Sequence, residues 1–262
     1  MSMPSLVWKK IFWLFKKSIL YFFSYLIINK NDVILSLFPK TGSTWIRFFL
    51  FNYLNETESL EIKAGIDQMN AVMPEFGHKS MLNQWRFKSS PKLIKTHRPF
   101  RSIFSKNKII LVIRDPRDIL VSFYHYALAK KEFNFSGTLK DIIHHNEWGL
   151  EYFFEQFKSW EKYAGLIVKY EDLKADPKKS FKEILSYMDI PVDEEALINA
   201  IHRSDFNAMK KAQETSEEFK NKFQGNFTFA RSGKSNQWVE YFDEEDINFW
   251  NVCKQKYEFS FY

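Results

Sequence analysis

A chain of 262 residues with 45% apolar, 27% charged and 18% aromatic side chains, Phe alone contributing 28, can build one sizeable core and is too apolar to be a disordered chain. Its 38 Lys and Arg against 32 Asp and Glu leave a formal charge of +6, which suits an anionic partner, whether nucleotide, phospholipid or nucleic acid, without choosing among them. A single cysteine, Cys253, excludes an intramolecular disulfide and a cysteine-based zinc cluster and sits comfortably with a reducing, cytoplasmic compartment.

Residues 1–30 stand apart from the rest. Trp8 to Ile28 is aromatic and aliphatic, but Lys9, Lys10, Lys16 and Lys17 interrupt it, and the uncharged run Ser18 to Asn29 is shorter than the roughly 20 residues a membrane-spanning helix needs. In a helix those lysines share one face while Trp8, Phe12, Phe15, Ile19 and Phe22 lie mostly elsewhere, which makes the segment an amphipathic basic helix. Two placements stay open. Residues 6–28 either lie in the headgroup layer of an anionic membrane or pack on the domain with the lysines solvated. No small-residue cleavage site follows, so a secretory signal is not expected.

From residue 31 to 262 one domain is expected. Val33 to Phe38 is a short apolar run ended by Pro39-Lys40-Thr41-Gly42, and Trp45 to Leu54 resumes with helical spacing, so the order is strand, loop, helix. Leu93 to Lys95 and Leu166 to Lys169 are two further buried-strand candidates. Lys108 to Ile113 repeats the first pattern with the turn Arg114-Asp115-Pro116-Arg117, and a helix over Asp118 to Lys130 is predicted with Asp118 as its cap. Strands alternating with helices predict an α/β fold, a central mostly parallel sheet flanked by helices, with ligands at the carboxyl ends of the strands. Glu56 to Trp85 lacks clear periodicity, and Asn207 to Gln237 is polar and Lys-rich with Gly225 and Gly233. These two segments are the candidates for an acceptor lid and a cofactor-binding loop.

Pro39-Lys40-Thr41-Gly42-Ser43-Thr44-Trp45 is a P-loop-like phosphate-binding loop, because free amides and a partial positive charge at a helix start hold a phosphate and Lys40 adds a full charge. Its lysine precedes its only glycine, unlike the phosphate loop of ordinary ATP and GTP enzymes. The turn at Arg114 can bring a guanidinium and the Ser122 hydroxyl to one phosphate, or can pair its own charges as a surface turn. His97, just beyond a short strand and flanked by Lys95 and Pro99, is placed to act as a base near neutral pH. The other histidines, His78, His125, His144 and His145 among them, are expected to be packing or surface residues.

Pro39 to Trp45 resembles the 5′-phosphosulfate loop of sulfotransferases of the cytosolic type, which use 3′-phosphoadenosine 5′-phosphosulfate (PAPS). Leu93-Ile94-Lys95-Thr96-His97-Arg98-Pro99 resembles that family's catalytic histidine segment. Val112 to Asp118 with Ser122 resembles its 3′-phosphate element, and Tyr170-Glu171-Asp172-Leu173 its adenine-side strand end. Phe229 to Trp238 resembles its closing loop, usually Arg-Lys-Gly-x-x-Gly-Asp-Trp. The resemblance runs from about Val33 to Trp238 and implies a sulfotransferase fold and sulfuryl transfer from PAPS to a hydroxyl or amine. It assigns His97 as general base, with Lys40 and Lys95 offsetting charge on the transferring group and no metal required. The same resemblance gives the 5′-phosphate to Lys40, Thr41, Gly42, Ser43 and Thr44, and the 3′-phosphate to Arg114, Ser122, Arg231, Ser232 and Gly233. Ser122 would also restrain Lys40, and adenine would meet Trp45, Phe229, Tyr170 and Thr215.

Two departures stand out. Ser232 occupies a position where the family usually has Lys, and Asn236-Gln237 replaces Gly-Asp before Trp238. The family's dimerisation motif, Lys-x-x-x-Thr-Val-x-x-x-Glu, has no counterpart after Trp238, so no oligomeric state is expected from sequence. Phe76, Trp85, Phe100, Phe133, Phe135 and Trp148 point to an apolar groove and hence to a hydrophobic alcohol, phenol or lipid-borne acceptor. The competing readings are a nucleotide-dependent kinase and a basic membrane-binding protein. Nothing resembles a nucleic-acid reader.

Overall fold

The computed structural model describes residues 15, 18–225, 227–228 and 233–262. Four strands, β1 (Val33–Leu37), β2 (Leu93–Thr96), β3 (Lys108–Ile113) and β4 (Leu166–Lys169), form a sheet of order β2-β1-β3-β4. Every pairing is parallel, with Ser36 opposite Thr96, Leu37 opposite Val112 and Ile113 opposite Lys169. All four carboxyl ends therefore share one edge of the sheet, and Lys40, His97, Arg114 and Tyr170 each follow such an end.

Period-two alternation sends the apolar strand residues to both faces of the sheet, with polar residues such as Ser36, Lys95 and Thr96 gathered towards the carboxyl ends. Val33, Leu35, Leu37, Ile110 and Val112 face one core, built with the helices Ser43–Thr57, Pro177–Tyr187 and Glu194–Arg203. Ile34, Ile109, Leu111 and Ile113 face a second core, packed with Pro116–Ala129, Leu150–Glu161 and Glu244–Lys256. Both faces of a parallel sheet must be covered, so neither face can carry the polar alternation of a solvated strand.

Two expectations change. The helix after β3 is Pro116–Ala129, and its cap is Asp115, whose carboxylate accepts from the Arg117 amide at 3.0 Å. Pro116, at the first helical position, has no amide to satisfy and brings the start forward. Asp118 is released for another task, described below. The segment without periodicity holds a short helix, Ile66–Val72, and a 3₁₀ turn, Lys79–Leu82, between irregular stretches.

Residues 18–27 are helical. Tyr21 and Tyr25 meet Phe76 edge-on, and the fully buried Ser24 hydroxyl accepts the Gly77 amide at 3.0 Å. Phe15, Ile19, Phe22 and Leu26, one helical stripe, face away from the domain and are 64, 38, 61 and 65% exposed. Lys9, Lys10, Lys16 and Lys17, with Trp8 and Phe12, lie outside the described residues. Among the described residues no helix is long and apolar enough to cross a membrane.

Candidate active site

After β1 the chain turns sharply. Lys40 holds φ of 73° and Gly42 φ of 104°, while the buried Thr41 hydroxyl donates to the Phe38 carbonyl at 2.8 Å and braces the turn from inside. A Cβ on Gly42 would lie 2.9 Å from the Tyr170 ring, so glycine is required both by its left-handed backbone and by that contact. The Ser43–Thr57 helix then begins without a side-chain cap, leaving its amino end to a ligand. Pro39, Lys40, Gly42, Ser43, Thr44 and Trp45 all line one pocket of about 220 Å³. Thr41 supports that wall without lining it. The Lys40 ammonium lies 4.9 Å over the Tyr126 ring and 5.5 Å over Phe227.

The opposite wall comes from β3 and the Pro116–Ala129 helix. Arg114, 7% exposed, donates to the carbonyls of Lys40 and Lys234 at 3.3 Å each, and its guanidinium covers the Tyr170 ring at 4.6 Å. Its Nε is buried with no partner. Ser122 lines the same pocket two turns into that helix. Asp118, buried at 1%, accepts the amides of Asn236 at 2.8 Å and Trp238 at 3.2 Å, and stands 3.7 Å from Arg114. Capping therefore falls to Asp115, and Asp118 ties the backbone of Asn236 and Trp238 to the wall that carries Arg114.

At a further wall of the pocket, Trp45 and Tyr170 meet edge-on with centroids 6.0 Å apart, and the Trp45 Nε1 is buried without a partner. Phe206, Met209 and Gln213, from the helix Phe206–Glu214, complete this end. Thr215 does not line the pocket, because its hydroxyl donates to the carbonyls of Lys211 and Ala212 at the end of that helix. Gly233 lines it with φ of 60°. Phe229, Arg231 and Ser232 lie outside the described residues.

His97 closes the third side. Its Nδ1 lies 2.9 Å from the Leu37 carbonyl, which can only accept, so Nδ1 carries the proton and Nε2 keeps its lone pair. Burial, and then the neighbouring Lys95, push the imidazolium pKa down to about 4 against the opposing pull of Glu75. The ring is a neutral base across the physiological range. Lys95 lines the pocket beside it, with its ammonium 2.7 Å from Glu75.

Sequence reasoning did not find Glu75. The Lys95 amide donates to the Pro74 carbonyl at 3.1 Å and the Phe76 amide to the Lys95 carbonyl at 2.8 Å, so residues 74–76 run along the β2 edge and set the carboxylate beside the lysine. Burial opposes ionisation of Glu75, yet Lys95 and then His97 hold its carboxyl well below the usual range. Tyr126, Phe206, Met209 and Gln213 were also missed, since nothing in their spacing separates them from core or surface residues.

The six aromatics proposed as an apolar groove are packed elsewhere. Phe133 stacks on Trp148 at 4.8 Å and Phe100 on Tyr163 at 3.7 Å, while Trp85 meets Phe87, Phe76 meets Phe104 and Phe135 meets Tyr124 edge-on. None lines the pocket that contains His97. His144 packs on Phe249 and His145 on Trp148, as expected of packing residues.

Comparison with known proteins gives the family and the fold. Rat sulfotransferase 1 family member D1 is 29% identical over 81% of this chain and 78% of its own length. Mouse sulfotransferase 1B1 is 29% identical over 69% of this chain, which spans 66% of that relative. Two solved structures share the fold: retinol dehydratase in complex with androsterone and inactive cofactor PAP, and mouse sulfotransferase SULT7A1 complexed with PAP. Their TM-scores are 0.68 and 0.66 at 21% and 19% identity, each over 89% of this chain, and over 82% and 86% of theirs. The sulfotransferase domain family matches residues 30–260, nearly the whole sequence, and the chain belongs to that family.

Proposed function

We propose that the protein moves a sulfuryl group from PAPS to a hydroxyl or amine acceptor by in-line displacement, with His97 as general base. The observation that carries this reading is a neutral imidazole with its Nε2 lone pair free, on the wall of the same pocket as an uncapped helix start and a buried arginine.

The wall residues fit such a nucleotide. Arg114 Nε and Trp45 Nε1 are buried donors without partners, and the Gly42 cradle admits no side chain. Lys40 and the turn Thr41 to Thr44 would hold the 5′ end, Arg114, Ser122 and Gly233 the 3′-phosphate, and Trp45 with Tyr170 the base. Bound PAPS supplies an electrophilic sulfur and a phosphate leaving group. His97 accepts the acceptor's proton at Nε2 as the new O–S or N–S bond forms and the S–O bond to the 5′-phosphate breaks. Lys40 and Lys95 offset the charge gathering on the oxygens, and no step of this displacement calls for a metal.

A kinase reading finds less support, since Asp115 and Asp118 are taken up by capping and by the closing loop. A cytoplasmic protein touching a membrane surface is also part of our reading, supported by the outward stripe Phe15, Ile19, Phe22 and Leu26 and by Lys9, Lys10, Lys16 and Lys17 before and within the same stretch of sequence. The test is transfer from labelled PAPS to a mixed panel of alcohols, phenols and amines, followed by the same assay on His97→Ala. Loss of turnover with nucleotide affinity kept supports the role of His97; retained turnover refutes it.

A further inference from the structure

Beside His97 lies a second cavity of about 170 Å³ that shares Thr44, Lys95 and Tyr126 with the nucleotide pocket. Its wall joins the apolar Ile66, Met69, Phe219 and Phe223 to six charged side chains. Arg47 and Lys95 stand at its buried end with a single carboxylate, Glu75, and Lys130 and Lys222 stand with Glu218 nearer the surface. Four cations thus face two carboxylates.

The imbalance is real at the buried end. Lys95 is ion-paired with Glu75 at 2.7 Å, so the Arg47 guanidinium, 5% exposed, has only a share of that carboxylate. Arg47 donates from Nη2 to the Met73 carbonyl at 2.8 Å, which is uncharged, and its Nε is buried with no partner. Lys222 is matched by Glu218 at 2.5 Å, whereas Lys130 finds its carboxylate, Glu132, outside the cavity wall. A buried guanidinium with only a share of one carboxylate and an unfilled Nε donor is under-compensated, and an anion placed among these cations supplies the missing charge and acceptor.

We infer that this cavity receives an anionic group of the acceptor, so that the substrate is a small hydroxyl compound carrying a carboxylate or phosphonate-like anion. The inference rests on the sulfuryl-transfer reading and narrows its acceptor class. The hydroxyl faces His97 and the anion lies towards Arg47 and Lys130, with Glu75 keeping Lys95 charged between them.

The experiment pairs 4-hydroxyphenylacetate, 3-(4-hydroxyphenyl)propanoate and 4-hydroxybenzylphosphonate with neutral partners, namely the two carboxamides and the phosphonate diester. Transfer from labelled PAPS and calorimetric binding to the protein loaded with 3′-phosphoadenosine 5′-phosphate (PAP) are both measured. At least one anion should exceed its neutral partner tenfold in kcat/KM. Lys130→Met should remove most of that preference through KM while leaving PAP affinity and turnover of the neutral partners unchanged. Arg47→Lys, which keeps the charge, should retain more of it than Arg47→Met. Equal or better use of the neutral partners, or no binding of any anion to the PAP-loaded protein, overturns the inference. Failure of PAP itself to bind would instead bring down the transferase reading.

Discussion

Protonation of His97 offers the sharpest quantitative prediction. An ordinary imidazole titrates near 6.5, whereas burial and Lys95 bring this one to about 4. At pH 5 such a ring is about nine-tenths neutral, against roughly 3% for an ordinary histidine. If His97 is the base, kcat/KM should fall by only about a tenth between pH 7 and pH 5, where an unperturbed base would lose about 25-fold. The same shift governs stability. The unfolded chain takes up the proton near 6.5 and the folded chain not until about 4, so stability is lost as pH falls through that window, by up to about 3 kcal/mol. Nitrogen-15 NMR of the imidazoles, with His97→Ala for assignment, reads both the midpoint and the tautomer. A midpoint near 4 with the proton on Nδ1 is expected. A midpoint near 6.5 would refute the shift caused by burial and Lys95, and a proton on Nε2 would refute the base role, because no lone pair would then face the pocket.

Other perturbations have equally direct outcomes. Glu75→Gln leaves the buried Lys95 ammonium unpaired and should lower stability by about 3–5 kcal/mol in chemical denaturation. Because the Glu75 carboxyl is held below its ordinary range, its contribution is present above the unfolded pKa and lost as pH falls, so the variant should also show a shallower loss of stability in acid. Gly42→Ala should cost about 1–2 kcal/mol from the left-handed backbone alone and weaken PAP binding through the displaced Tyr170 ring, read by thermal shift with and without PAP. Asp118→Asn, which keeps one acceptor for two amides and removes the carboxylate beside Arg114, should lower stability by about 1–3 kcal/mol in chemical denaturation and weaken PAP binding about tenfold by calorimetry. Replacing Phe22 and Leu26 together by Ser should cut flotation with phosphatidylserine vesicles at least tenfold and leave PAP binding alone.

The sheet was legible in the sequence because a strand buried on both faces reads as a continuous apolar run, as in Lys108 to Ile113. The turns at the carboxyl edge of the sheet were legible for a related reason: turn chemistry and charge interrupt such runs there, marking Lys40, His97 and Arg114. Asp118 was misassigned as a cap because Asp115 with Pro116 starts the helix three residues earlier, and its real partners are amides about 120 positions away. Glu75 gives no local signal, since an edge pairing with β2 brings it in. Arg47 did leave one, a lone charge inside the apolar run Trp45 to Leu54, whose significance appears only when the cavity behind the Ser43–Thr57 helix is seen. The aromatic groove failed because Phe133, Trp148 and Phe100 satisfy one another by stacking, which composition cannot distinguish from lining a cleft.

Metal-free calorimetric titration with PAP, on the wild-type chain and on Arg114→Met, puts the two-ended grip on the nucleotide to its most immediate trial. Tight binding that ATP with magnesium cannot displace, weakened at least a hundredfold by the substitution, is the expected result. Equal or stronger binding of ATP with magnesium, or unchanged PAP affinity without the arginine, would contradict it.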